Sequence, residues 1–280
     1  MIKKHFYTLN SDAKLFVELK ESNPIWWQFI KEQIKGGHFY VDIRKDNSLN
    51  VYYNGGSLLR VMYSKGEIKA KIHPSYLGLK GSQYLDFELA SLTKEVEEIM
   101  KRIEKRYSDF SENGIKARLI SEPQANYIDS EFAYAEPIGK KKDNDGKELD
   151  IYRSIRIDLV KLEKGNIVFV ELKRIQDPRL LTREYEHGTP EVLQQLETYA
   201  QFIKSRKEEI THYYKTLFNI KRELEILPKG LASINNLDDY TLCEEVELYI
   251  EPYASLNAHR MRRLRAIQTL LDHHNITHNL

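Results

Sequence analysis

A single cysteine among 280 residues, Cys243, excludes an intramolecular disulfide framework, a zinc ribbon and a cysteine-ligated iron–sulfur cluster. A reducing, cytoplasmic setting is the simplest expectation. No apolar run approaches the roughly 20 residues needed to cross a bilayer. The basic start Met1-Ile2-Lys3-Lys4-His5 leads into no apolar core. Neither a membrane span nor a secretion signal is therefore expected. Net charge is nearly absent too: 43 Lys and Arg stand against 42 Asp and Glu. Near-neutrality neither supports nor excludes a polyanionic partner, because a cleft can be basic within a neutral protein. There is no internal repeat, no low-complexity tract and no Gly-rich loop ending in Lys-Ser or Lys-Thr. What is present is an ordinary globular composition, 41% hydrophobic and 30% charged. The length suffices for one large or two modest domains with a real core.

The rhythm of the chain changes part-way. Pro24 suits the first turn of a helix reaching about Lys35. Strand-like runs follow at His38–Arg44, Leu49–Tyr53, Leu58–Tyr63 and Glu67–Ile72, separated by turn chemistry at Lys45-Asp46-Asn47-Ser48, Asn54-Gly55-Gly56 and Ser64-Lys65-Gly66. This reads as an antiparallel meander, and the alternation in Tyr40-Val41-Asp42-Ile43-Arg44 predicts one wet face. Ala90, Leu92, Val96, Ile99, Met100 and Ile103 recur at helical spacing within about Glu88–Asp109.

Beyond this the order becomes strand, strand, strand, helix, strand. The strands are Ile128–Ala135, Ser154–Leu162, Ile167–Lys173 and Glu245–Glu251, with a polar loop at Gly139–Gly146. Thr189-Pro190-Glu191 is a helix start, with Thr as N-cap, Pro at the first position and an acid in the first turn. That helix should reach about Lys207. More charged helix follows until Pro228 and Gly230, and a closing helix covers about Leu256–Asp272. The pattern predicts an α/β sheet with helices on its faces. The domains expected are 1–85, a smaller α+β antiparallel-sheet domain, and 86–280.

The central hairpin carries the chemistry. A turn at Lys164-Gly165 pairs Leu162 with Ile167 and sets Asp158 opposite Glu171, about 5 Å apart at Cβ. Lys173, two residues on, projects from the same face. Both faces are otherwise apolar: Ile157, Leu159, Val168, Val170 and Leu172 on one, Val160, Leu162, Ile167 and Phe169 beside the acids. Two carboxylates in such a place repel each other and lose solvation. A divalent cation is the remedy, and hard oxygen donors favour Mg²⁺ or Mn²⁺ over zinc.

Ile157-Asp158-Leu159-Val160 followed by Val168-Phe169-Val170-Glu171-Leu172-Lys173 resembles the D…(D/E)-x-K signature of the PD-(D/E)XK nuclease superfamily. Gln195-Leu196-Glu197-Thr198-Tyr199 is similar to the Q-x-x-x-Y element of its RecB-like members, and residues four apart share a helix face. The resemblance covers roughly Ala117 to Leu271. It implies a restriction-endonuclease-like mixed sheet flanked by helices. It also implies metal-dependent hydrolysis of phosphodiester bonds, with DNA as the expected partner and RNA the alternative. Asp158 and Glu171 would hold the metal, Lys173 would assist the water, and Gln195 and Tyr199 would structure the site. A further metal-binding acid is expected from Glu131, or from Glu95, Glu98, Glu112 or Glu122 upstream. The resemblance also leads to an expectation of self-association as a homodimer. Departures are the lack of cluster cysteines and of a helicase-type phosphate loop, so a stand-alone nuclease of restriction, repair or defence is expected. The competing reading is a catalytically decayed nuclease fold that binds nucleic acid or a protein partner.

Substrate contacts are expected from Arg156, Arg174, Arg179 and Arg183 near the hairpin, and from Arg262 and Arg263 in His259-Arg260-Met261-Arg262-Arg263-Leu264-Arg265. Lys140-Lys141-Lys142 adds loop cations. Trp26, Trp27, Tyr40, Tyr52 and Tyr53 could stack on bases, though mostly they should be core. His273 and His274 are read as tail, not ligands.

Overall fold

The computed structural model describes residues 8–108, 110–142, 148–181 and 190–280. It is a mixed α/β protein with a five-stranded antiparallel sheet and a separate four-stranded sheet. Two compact units are present. The first comprises Met1–Ile128, Lys161–Ile167 and Arg206–Leu242, the second Asp129–Val160, Val168–Ser205 and Cys243–Leu280. The units interleave along the chain, where the sequence reading placed one boundary after residue 85. Among the described residues no helix is long and apolar enough to cross a membrane.

The first unit opens with helices α1 (Lys14–Ser22) and α2 (Ile25–Lys35). The meander follows as β1 (Phe39–Ile43), β2 (Leu49–Tyr53), β3 (Gly56–Ser64), β4 (Glu67–Ile72) and β5 (Leu85–Phe87), paired in that order. Asn54 and Gly55 both have positive φ, 44° and 79°, the two-residue hairpin turn that matches strand twist. A Cβ on Gly55 would lie 2.4 Å from the Asn113 carbonyl oxygen, so the close approach as well as the conformation requires glycine. Tyr40 and Tyr52, opposite each other in register, stack at 4.7 Å between ring centroids. Helix α3 (Leu92–Arg106) packs on β3, and α4 (Glu112–Ser121) on β1. Trp27, Tyr40 and Tyr52 are core.

The wet face expected on β1 is a correction: every residue from Phe39 to Ile43 is buried. Helix α6 (Lys207–Glu223) covers it, with Tyr213 donating to the Ile43 carbonyl and Lys221 lying 3.5 Å from Asp42. Lys221 also donates to the Ile128 carbonyl, and Arg44 lies 3.4 Å from Asp42. A buried carboxylate is tolerable only with such partners.

The other sheet runs β6 (Tyr127–Lys142), β7 (Glu148–Glu163), β8 (Asn166–Arg174), β9 (Thr241–Glu251), with α5 (Glu191–Ser205) between β8 and β9 in sequence. Ion pairs Lys140–Glu148 and Glu136–Arg153 cross between β6 and β7 in antiparallel sense. Lys164 and Gly165, φ 48° and 77°, close β7 to β8 in a two-residue turn. The sense then changes. Thr241 N–H donates to the Gly165 carbonyl and Ile175 N–H to the Glu251 carbonyl, so β8 and β9 start together and end together. Such a parallel pair needs a long crossover, which α5 and α6 supply. Helix α7 (Ala258–His273) follows. The residues after it pair with the outer side of β9, where Leu248 N–H donates to the Thr277 carbonyl and the Asn279 amide bonds both N–H and C=O of Ile250. His273 and His274 close α7, ring against ring.

Candidate metal and phosphate site

Strands β7 and β8 are buried on both faces where they carry the acids. Ile157, Leu159 and Val160 on β7, and every residue from Ile167 to Lys173 on β8, are 5% exposed or less. Near-continuous apolar sequence is what such strands require. Polar groups placed there must find partners inside.

Asp158 reaches across to β8, and its Oδ2 accepts the backbone N–H of Leu172 at 2.9 Å. Glu171 and Lys173, two residues apart and each 3% exposed, form an ion pair through Glu171 Oε1 and Lys173 Nζ. Helix α5 brings Gln195 and Tyr199 to the same carboxylate. Gln195 Nε2 donates to Glu171 Oε1 at 2.9 Å and to the Tyr199 hydroxyl oxygen at 2.7 Å. The helix is held there by an aromatic cluster: Phe132 packs edge-on against Phe169 at 5.2 Å and tilts against Phe202 at 6.0 Å. Tyr134 adds a tilted contact to Phe202 at 5.3 Å.

Two buried acceptors of this site have no partner among the described residues: Glu171 Oε2 and Gln195 Oε1. Each such orphan costs about 1–3 kcal/mol. Burial pushes the Glu171 carboxyl up to about 7, and repulsion from Asp158 adds to it against the opposing pull of Lys173 and Arg179. Burial, then Glu171, pushes the Tyr199 hydroxyl up to about 12. Burial first, and Asp158 second, thus destabilise the ionised Glu171 carboxylate more than Lys173 and Arg179 stabilise it. That is the condition a divalent cation relieves.

The donor set fits such an ion. Asp158 and Glu171 offer hard carboxylate oxygens, and Glu171 Oε2 is without a partner among the described residues. Among the described residues no three Asp, Glu, His or Cys side chains form a group that could hold a metal. Glu131 is therefore not gathered with Asp158 and Glu171. It has φ 54° and is exposed, and the run Ile128, Asp129, Ser130 just before it is buried without alternation. That break in β6 sends the Glu131 side chain outward. Two carboxylates still suit Mg²⁺, which usually keeps waters and takes substrate phosphates as its remaining ligands. Glu95, Glu98, Glu112 and Glu122 are exposed residues of the first unit.

The arginines divide. Arg179 is clamped by Asp177, with Nε to Oδ1 at 3.0 Å and Nη2 to Oδ2 at 2.6 Å, and it lies within electrostatic reach of Glu171. Burial tends to raise the Asp177 carboxyl, but the Arg179 side-chain and backbone hydrogen bonds prevail and hold it below the ordinary range. Arg263 is not open to substrate as expected: Nε and Nη2 donate to the carbonyls of Ile175 and Asp177, both at 2.9 Å. Arg174 is exposed, but by strand alternation it points to the face opposite Glu171 and Lys173. Arg156 and Arg262 are exposed. Arg183 lies outside the described residues, as does Thr189.

Comparison with family models, with curated proteins and with solved structures finds no match to this chain.

Asp177 and the anchoring role of Arg263 were not visible in sequence. Asp-x-Arg is too common a triplet to stand out, and Arg263 reaches 88 positions back along the chain to Ile175. Arg263 tethers the segment that aims Arg179 at the acids. Arg263→Ala is expected to lower stability by about 2 kcal/mol, since both charge-assisted bonds are lost. Urea unfolding checks this, as a lower midpoint at unchanged slope. An unchanged midpoint would show that the tether contributes nothing.

Proposed function

We propose that this protein is a metal-dependent nuclease of the PD-(D/E)XK kind, hydrolysing phosphodiester bonds in nucleic acid, DNA in the first instance. The observation that carries the reading is half-buried Asp158 beside buried Glu171 and Lys173, with one Glu171 oxygen lacking a partner among the described residues. The chain order α4, β6, β7, β8, α5, β9, with an antiparallel triplet and a parallel fourth strand, supports a restriction-endonuclease-like sheet. Gln195, hydrogen-bonded both to Glu171 and to Tyr199, supports the RecB-like assignment.

In this mechanism Asp158 and Glu171 would hold Mg²⁺ or Mn²⁺, which when bound would supply the charge to polarise the phosphoryl group and lower the pKa of a water. Lys173, fixed by Glu171, orients the attacking water and stabilises the charge that grows on the phosphate as the new O–P bond forms and the ester P–O bond breaks; the water's proton passes to solvent and the leaving oxygen takes one from solvent. Gln195 and Tyr199 hold the Glu171 carboxylate in place, and Arg179 adds positive potential.

The test is incubation with plasmid, linear duplex and single-stranded DNA, and with RNA, in Mg²⁺ and in Mn²⁺. Cleavage that EDTA abolishes is expected on at least one DNA. No cleavage of any substrate with either ion, together with no binding of either ion by calorimetry, identifies a decayed site and overturns the reading.

A further inference from the structure

The outer halves of β6 and β7 leave the buried part of the sheet. From Ala135 to Lys142 and from Glu148 to Tyr152 every residue except Glu136 is exposed. A two-stranded ribbon is marginal in water by itself, and this one shows Ile138 and Tyr152 at 55% exposure each. Four of its charges are matched internally, as Lys140–Glu148 and Glu136–Arg153. Arg156 is exposed and makes no hydrogen bond or ion pair among the described residues.

Side chains alternate along a strand, so Tyr152, Ser154 and Arg156 share the face of β7 that carries Asp158. A second line of contacts agrees. Tyr134 packs on Phe202 of α5, the helix that brings Gln195 to Glu171, and Tyr134 lies near enough to Tyr152 to act on its hydroxyl. The Tyr152 hydroxyl donates to Asp150 at 3.2 Å. A cation thus stands one strand repeat, about 7 Å, from the acid pair, and an aromatic ring about 20 Å away on the same face.

We propose that this face of β7 is a track for a nucleic-acid strand with unpaired bases, on which Arg156 meets a phosphate and Tyr152 stacks a base. The proposal rests on the nuclease reading and adds a substrate class to it. A duplex hides the faces of its bases, whereas a single strand offers them to an exposed ring. The aromatic and the unpaired cation lie in line with the acids, which favours a strand threading toward Asp158 over a protein partner on the ribbon.

The test uses the full chain in EDTA, which separates binding from cleavage. The probes are fluorescein-labelled oligothymidylate and a labelled blunt duplex, read by anisotropy. Tyr152→Ala is expected to weaken oligothymidylate binding roughly tenfold while moving duplex affinity by less than about twofold. Tyr152→Phe should bind as the wild type. Arg156→Gln should weaken both probes and lower the salt slope by about 1. In Mg²⁺, Tyr152→Ala should raise KM for the single strand with little change in kcat. Wild-type affinity in Tyr152→Ala overturns the track. So does conversion of a dimer to a monomer by Tyr152→Ala without loss of binding, which would make the ribbon a self-association surface. A wild type that cuts duplex but ignores oligothymidylate sinks the track alone. A wild type that binds oligothymidylate but cuts nothing sinks the nuclease reading alone.

Discussion

Asp158→Asn should lower cleavage by about a thousandfold while leaving the protein as stable as the wild type or more so. Asparagine keeps a side-chain oxygen that can accept the Leu172 N–H, the bond Asp158 makes at 2.9 Å, so the β7–β8 contact survives. What disappears is a negative charge that raises the Glu171 carboxyl. In the metal-free protein that charge is a burden, and its removal relieves it. With Mg²⁺ present the same charge is a ligand, and its removal leaves Glu171 to hold the ion alone. Lys173→Met, close in length and apolar, should match the loss of activity through the opposite route. It withdraws the cation that meets the phosphate, but it also strips Glu171 of its ion pair. Removing one member of a buried pair is costly, about 3–5 kcal/mol, so Lys173→Met should lose stability where Asp158→Asn does not. The measurements are initial cleavage rates and thermal midpoints in EDTA. Two variants that both cut at the wild-type rate would falsify the catalytic assignment.

Much of this site was legible in the residues because strand geometry is periodic. The Lys164-Gly165 turn, once recognised, fixes which side chains of β7 face those of β8, and the apolar runs around Asp158 and Glu171 declare strands covered on both faces. The four-residue spacing of Gln195 and Tyr199 needed only a helix to be read. Other features depend on distant chain. Asp42 looked solvated by local alternation and is buried because α6 lies over β1. Strands β6 and β7 are each 16 residues long, about twice what their sequence suggested. Their outer halves bury nothing, so they lack the apolar alternation by which strands are recognised. Helix α4 was missed for the converse reason. Gly114–Ala117, Leu119 and Ile120 are all buried, which removes the amphipathic period, and Asn113 and Gly114 are poor helix formers.

In EDTA the protein should lose stability as pH rises from about 4.5 to about 7, and Mg²⁺ or Mn²⁺ should restore it. Glu171 is raised in the fold from 4.5 to about 7, first by burial and then by Asp158. Below 4.5 the carboxyl is protonated in the folded and the unfolded chain alike, and it imposes no penalty. Between those values the folded protein holds a proton that the unfolded chain has released, so each step upward in pH favours unfolding. Above about 7 the carboxylate is charged in both states, and the full penalty, roughly 3 kcal/mol, has accrued. The wild-type curve sums every ionisable group and so does not by itself isolate Glu171. Glu171→Gln does: its curve should lack this component, and the difference between the two should follow one proton. Asp158→Asn should shift the component toward lower pH, because it removes the repulsion but not the burial. A divalent ion binds the ionised pair, so the midpoint shift it produces should be larger at pH 7 than at pH 5 and absent in Glu171→Gln. Parallel curves for wild type and Glu171→Gln would mean that Glu171 carries no unusual charge in the folded protein. The case for a cation between Asp158 and Glu171 would then lose its electrostatic ground.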